Sequence, residues 1–272
     1  MNKQVCCLRN KGFYLYCIKQ KTDFEFSTEG IDGGKVFTFP CQDLEAVVSE
    51  VSLENFSSED LQRKAQEDLG WIKEKALIHE KVMEEAMGKD KTLSVIPMKF
   101  GIIFKTEEKL AEILNKDYFK FKKILENLAG KQEWSVKVYL NRKSFEEEIK
   151  KVSPQVKDKE KEIASMPEGM AYFMENQIDE LVSKEVGESL QEYIESFFES
   201  LKKHAEAGAR GKILEKELTG GTFPMVLNAI FLVSEEKLKG FVKEINKLNK
   251  EYKSIGFNFE YSGPWPPYNF IS

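Results

Sequence analysis

Twice in this chain an apolar run passes straight into a helix start, and that repeat constrains the fold more than any other feature. Ile102-Ile103-Phe104-Lys105-Thr106-Glu107-Glu108-Lys109-Leu110 resembles Ile230-Phe231-Leu232-Val233-Ser234-Glu235-Glu236-Lys237-Leu238. In each, a strand meets a hydroxyl side chain placed to accept an orphan helix N–H. Two glutamates then occupy the positive end of the helix. Each helix is followed by another extended run, Trp134–Leu140 in one half and Gly256–Tyr261 in the other. Convergence of good caps and true duplication both explain the echo. Either way it predicts an α+β chain of two α/β domains.

The rest of the chain fills in around this frame. Phe13–Ile18 reads as an aromatic strand, Gly30, Gly33 and Gly34 as a loop, and Val36–Phe39 and Ala46–Val51 as further strands. Leu61–Met87 has helical spacing, with Leu69, Ile72, Ala76, Val82, Met83 and Met87 near one face. Leu93–Phe104 is extended, and Pro97 inside it implies an edge or a bulge, because proline removes a ladder donor. Asn141–Ala164 interleaves both signs of charge and reads as a charged linker or solvated helix. Ser165-Met166-Pro167-Glu168 fits a capping box. From Met170 to Leu201 apolar residues recur at three and four, giving one long amphipathic helix or two parted near Gly187. Gly208 and Gly211 read as its stop, followed by strands at Ile213–Leu218 and Met225–Val233. The expected division is residues 1–141, a linker or helix at 142–164, and a second domain at 165–272.

Composition narrows the function. The 272 residues carry a net charge of −5 with no clustered cations, which argues against nucleic acid or an anionic lipid membrane as partner. No stretch has the apolar core of a secretory signal, and Met225–Val233 is too short to span a bilayer. A cytoplasmic protein with Cys6, Cys7, Cys17 and Cys41 as free thiols is expected.

Searches for chemistry end without a site. His79-Glu80 opens like a zincin helix, but Met83 stands where the second histidine is required. A hydrogen-bonded or exposed helical histidine is the better reading. Adjacent Cys6 and Cys7 point to opposite faces of a strand and cannot share one ion. Gly208–Ile213 lacks both the first glycine and the hydroxyl of a phosphate loop. No catalytic pair, cofactor or metal is expected. The Met and Phe stripe of the long helix suits core packing, and equally a soft surface for a hydrophobic partner.

The oddest segment is the last. Tyr261–Ser272 holds Pro264, Pro266 and Pro267 beside Trp265, Tyr268 and Phe270. Such a run cannot continue a helix or central strand, so it should leave the last strand as a polyproline-like arm. Its aromatics should pack on their own domain, with a partner as the alternative.

Here a resemblance becomes specific. Gly263–Phe270 (GPWPPYNF) is similar to the C-terminal signature of the GvpF/GvpL gas vesicle family. Val95–Phe104, with its Pro97-Met98-Lys99-Phe100-Gly101 block, resembles an internal signature of that family, although Lys99 stands where arginine is common. Ala46–Ser49, His79–Met83, Glu133-Trp134 and Asn228–Val233 agree in order, while Gly169–Tyr172 follows the pattern loosely. The resemblance implies an N-terminal α/β domain and a C-terminal ferredoxin-like domain with additional long helices. It implies an accessory protein of the gas vesicle, without catalysis or cofactor. The implied partners are the hydrophobic GvpA-type shell protein, bound during nucleation so that its aggregation is limited, and other gas vesicle accessory proteins. A minor structural component retained in the mature vesicle is the alternative, and an enzyme with an unrecognised site a more distant one. Pro97, Phe100, Gly101, Gly263, Pro264, Trp265, Pro266, Pro267 and Tyr268 are the expected signature positions, serving structure or partner contact.

Overall fold

A computed structural model describes residues 11–56, 63–64, 67–215 and 222–271, and for 168–177 the backbone alone. Two compact units result: unit 1 comprises residues 1–132 together with Pro264–Ser272, and unit 2 comprises Glu133–Gly263. This differs from the division expected at 141 and 165. The terminal segment groups with the first unit instead of the second.

Unit 1 is built on β1 (Lys11–Gln20), β2 (Val36–Cys41), β3 (Leu44–Ser52), β4 (Val95–Pro97) and β5 (Ile103–Phe104). The sheet runs β2-β3-β1-β4, with β5 also paired to β1, and every one of these pairings is antiparallel. Its helices are α1 (Leu69–Ala86), α2 (Glu107–Lys116) and α3 (Tyr118–Leu128).

The pattern of β1 explains how the sheet is covered on both faces. Tyr14, Tyr16 and Cys17 join the cluster formed with Val82, Met83 and Ala86 of α1. Leu15 and Ile18 join the opposite cluster, with Leu110, Leu114 and Leu125 of α2 and α3. Strict alternation would put Tyr16 and Cys17 on opposite faces. The register against β3 shifts between Leu15 and Cys17, and this bulge swings Cys17 to the side already occupied by Tyr16. A strand buried on both faces reads as a continuous apolar run, which is what Phe13–Ile18 shows in the sequence.

At the end of β1, Lys19 is 1 % exposed and its ammonium lies 2.6 Å from the Glu45 carboxylate. Thr22 completes the arrangement, its hydroxyl accepting from Lys19 at 2.5 Å. A buried charge of this kind is tolerated only when paired and hydrogen-bonded.

Arg63, Lys64 and Glu67 are helical, as the periodicity from Leu61 predicts. A break at Asp68 starts α1 at Leu69, with Asp68 capping it by accepting from the Trp71 N–H at 2.9 Å. Leu69, expected on the apolar face, is 73 % exposed. The buried face is His79, Val82, Met83 and Ala86.

Unit 2 holds β6 (Lys131–Leu140, from Glu133 on), α4 (Arg142–Val152), α5 (Pro154–Ala164), α6 (Glu168–Lys202), β7 (Ala207–Arg210), β8 (Met225–Ser234), α7 (Glu235–Tyr252) and β9 (Phe257–Trp265, to Gly263). Its sheet is ordered β7-β8-β6-β9. Strand–helix–strand–strand–helix–strand is the order that a ferredoxin-like domain also has. One face is apolar at every second residue: Val136, Val138 and Leu140 of β6, and Leu227, Ala229, Phe231 and Val233 of β8.

Several expectations change here. Trp134–Leu140, counted with the first half, is a strand of the second sheet, so the echo does not delimit two equal halves. The charged segment 142–164 is two helices whose Phe145, Ile149 and Val156 enter the core. Ser165 caps the end of α5, its hydroxyl donating to the Glu162 carbonyl at 2.6 Å, instead of opening α6. Helix α6 runs unbroken through Gly187. Gly208 lies within β7 and not in a loop, paired with Phe231 of β8, whose ring a side chain there would meet at 3.0 Å. Ile213–Glu215 has no strand pairing, and 216–218 lie outside the described residues.

Candidate functional site

The internal signature block and the terminal one meet in unit 1 around His79. Three elements position the parts. Strand β1 supplies Tyr14, α1 supplies His79 and Met83, and the turn after β4 supplies Met98, Phe100 and Gly101. Pro97 ends β4 opposite Cys17, at the sheet margin where its missing N–H costs no ladder bond. Gly101 has φ 88, a left-handed conformation that glycine adopts without strain, and this turns the chain back so that β5 rejoins β1.

The polar connections form one network. The Gly101 N–H donates to the Tyr14 hydroxyl at 3.0 Å, and that hydroxyl lies 2.9 Å from His79 Nδ1. His79 Nε2 lies 3.2 Å from the Met98 carbonyl oxygen and 3.2 Å from the Tyr268 hydroxyl. A carbonyl can only accept, so Nε2 carries the proton. Nδ1 is then the acceptor, and Tyr14 donates to it. Tyr268 in turn donates to the Met83 sulfur at 3.3 Å or the Met98 carbonyl at 3.4 Å. Phe100 closes the cluster, with its ring 6.1 Å from Tyr14 and 6.0 Å from His79, both edge-on.

The environment holds His79 and Tyr14 neutral. His79 is 2 % exposed, and burial lowers its pKa from 6.5 to about 4, with the Met98 carbonyl opposing more weakly. Burial likewise pushes the Tyr14 and Tyr16 phenols upward. With each proton assigned to an acceptor, the cluster acts as a joint between strand, helix, turn and terminal segment. His79 is thus a satisfied core histidine.

The terminal signature divides. Gly263 belongs to unit 2, where φ 144 and a Glu133 carbonyl 2.9 Å from any added side chain restrict the position to glycine. Pro264 and Trp265 finish β9, and Trp265 is 38 % exposed. Pro266 and Pro267 are buried, and a tight turn carries the Tyr268 N–H to the Pro266 carbonyl at 2.8 Å. The structure therefore brings Phe100, Gly101 and Tyr268 together through Met98 and His79. Tyr14 and Met83 belong to the cluster too, though neither is among the site positions expected from the sequence. Their signal was present in the aromatic strand and in His79–Met83, but only folding joins positions so far apart.

Other candidates for chemistry resolve individually. Cys17 is buried, and desolvation raises its thiol to about 12, which keeps it protonated and unreactive. Cys41 is raised in the same way. Cys6 and Cys7 lie outside the described residues. Among the described residues no group of His, Cys, Asp and Glu could hold a metal ion, and no helix is long and apolar enough to cross a membrane.

The profile of one family, described as gas vesicle synthesis protein GvpL/GvpF, matches residues 12–272. The chain belongs to that family. Gas vesicle protein F1 of Halobacterium salinarum is 24 % identical over 262 residues, covering 96 % of this chain and 93 % of its own. Gas vesicle protein F of Nostoc sp. is 24 % identical over 265 residues, covering 96 % and 98 %. The crystal structure of GvpF from Anabaena sp. superposes with a TM-score of 0.71 at 21 % identity, covering 96 % of this chain and 98 % of that one. The GvpL/GvpF fold is therefore present from β1 to the terminal segment, and the role of the chain lies with gas vesicles. Of the residues expected as signature positions, Phe100, Gly101 and Tyr268 lie at the joint around His79.

Proposed function

We propose that this chain is an assembly factor that binds the hydrophobic shell protein of the gas vesicle during nucleation, in the cytoplasm, and limits its aggregation. The observation that carries the reading is family membership across residues 12–272, in a family described by vesicle synthesis. The His79 joint is consistent with it, because the most distinctive residues are engaged in holding the fold, which leaves surfaces to do the work. Unit 1 has apolar side chains in solvent: Leu69 and Leu77 on α1, 73 % and 51 % exposed, and Phe119 at the start of α3, 82 % exposed. Lys73, Glu74 and Glu80 are exposed on the same helix α1. Apolar contact framed by charge suits a partner that would otherwise self-associate.

Co-expression with the shell protein tests the reading. The soluble fraction of shell protein should rise, and the two chains should purify together. Failure to associate under any condition would overturn it. If the chain instead persists in purified vesicles after washing with denaturant, it is a retained minor component.

A further inference from the structure

We propose that a cavity in unit 2 recognises a cationic side chain, an arginine or lysine of another protein chain. The proposal rests on unit 2 alone and is independent of the shell-protein reading.

Alternation along two neighbouring strands builds the floor of the cavity. Val138 and Leu140 of β6, and Phe257 and Phe259 of β9, enter the apolar core of unit 2. Tyr139, Asn258 and Glu260 occupy the alternate positions and face away from that core. Together with Ser144 near the start of α4, and Thr222 and Phe223 ahead of β8, they line a cavity of about 560 Å³. That volume is in the range of sites that enclose a small molecule or a short piece of chain.

Two polar groups of this lining are left for a ligand. The Tyr139 side chain is buried, 7 % exposed, and its hydroxyl has no hydrogen-bond partner among the described residues. Among the described residues no enclosed polar side-chain atom lacks a partner, so this hydroxyl is not enclosed: it opens onto the cavity. Glu260 accepts from the Asn258 amide at 3.4 Å and forms no ion pair among the described residues. Burial, and then the Glu260 charge, push the Tyr139 phenol upward, so the two groups are within electrostatic reach of each other. The phenol keeps its proton and can both donate and accept.

This pair selects a cation rich in donors. A guanidinium or alkylammonium gives N–H bonds to the Glu260 carboxylate and to the Tyr139 oxygen at once, and charge-assisted bonds are the strong ones. Phe223 adds an aromatic face, which attracts the same cations. An anion would meet the Glu260 charge, and an apolar group would leave the Tyr139 hydroxyl without a partner. The Ser144 and Thr222 hydroxyls suit peptide groups flanking a cationic side chain, which a free amine does not have. Lys253 also lines the cavity, but it is exposed, and its long stem lets the ammonium withdraw into solvent.

The test titrates the full chain with acetyl-arginine-amide, followed by amide chemical shifts. Binding should have a Kd of about 1–10 mM, with shifts centred on Tyr139, Asn258 and Glu260. Glu260→Gln, which keeps the shape of an exposed side chain, should weaken it at least about ten-fold, the loss of a charge-assisted bond. Acetyl-citrulline-amide, of the same shape without the charge, should show a similar loss. Tyr139→Phe should weaken binding about two- to ten-fold, and Lys253→Ala should not weaken it. If Tyr139→Phe fails to fold, Glu260→Gln and the citrulline probe decide. Absence of binding at about 100 mM, or binding indifferent to Glu260→Gln, would overturn the site. Spermidine shifting the same residues while acetyl-arginine-amide does not would overturn a protein side chain as its occupant.

Discussion

At the scale of single residues, the His79 network assigns different costs to groups that look alike in the sequence. Tyr14 is 0 % exposed, and its hydroxyl satisfies both the Gly101 N–H and His79 Nδ1. Tyr14→Phe strands two buried groups and should lose about 1–3 kcal/mol, measured by urea unfolding of unit 1. Tyr268→Phe removes a half-exposed hydroxyl from groups that retain other partners, and should lose less than Tyr14→Phe. The reverse ranking would refute the network. His79 also sets a pH dependence with a defined sign. The folded chain holds it neutral down to about 4, while the unfolded chain protonates it near 6.5. Between these values the unfolded state binds more protons, so stability present above 6.5 falls as pH falls toward 4, by on the order of 3 kcal/mol. Unfolding midpoints at pH 7 and pH 5 should differ less for His79→Gln than for the unaltered chain.

At the scale of elements, two glycines with similar roles in the sequence separate once the packing is known. Gly187 lies within α6 with open space around it, whereas Gly208 lies in β7 with the Phe231 ring at 3.0 Å and Phe198 at 3.3 Å. Gly187→Ala should therefore stabilise unit 2 by about 0.5–1 kcal/mol, the helix-propensity gain. Gly208→Ala should destabilise it, and urea midpoints of the two variants should lie on opposite sides of the parent. The same contrast shows what the sequence makes legible. Continuous apolar runs mark β1 and β8, and apolar spacings of three and four mark α6, because each pattern is local in the chain. The cap at Thr106 was also legible, its hydroxyl accepting from the Lys109 N–H at 3.3 Å. The matching Ser234 forms no such cap; its hydroxyl donates to Glu206 at 3.0 Å instead. Equal letters meet different neighbours, and only the neighbours decide. For the same reason the segment 142–164 looked solvated: an interleaved charge pattern conceals the few apolar positions that pack, among them Phe145 and Val156.

At the scale of the whole molecule, unit 1 is discontinuous in sequence, and this is what the reading of the chain end could not supply. Prolines and aromatics announced an arm from Tyr261 on, but β9 continues to Trp265, so only the residues after it leave the strand, and no local pattern says which core receives them. Tyr268 and Ile271 answer that, both joining groups of unit 1. The consequence is an ordering in the chain: unit 2 is complete at Gly263, while unit 1 lacks its last contacts until the final residues arrive. Truncation after Gly263 should then act on one unit only. His79 Nε2 and Met83 lose Tyr268, and the apolar surface under Ile271 becomes wet. Native-state hydrogen exchange should quicken in α1 and in β4, next to Met98, where local opening becomes easier. Protection in β8 and α7 should stay as in the intact chain, since their core of Phe231, Val233, Phe241 and Ile245 holds no residue beyond Gly263. Loss of protection in β8 and α7 with none in α1 would mean that the terminal segment stabilises the second unit, as its place in the sequence first suggests.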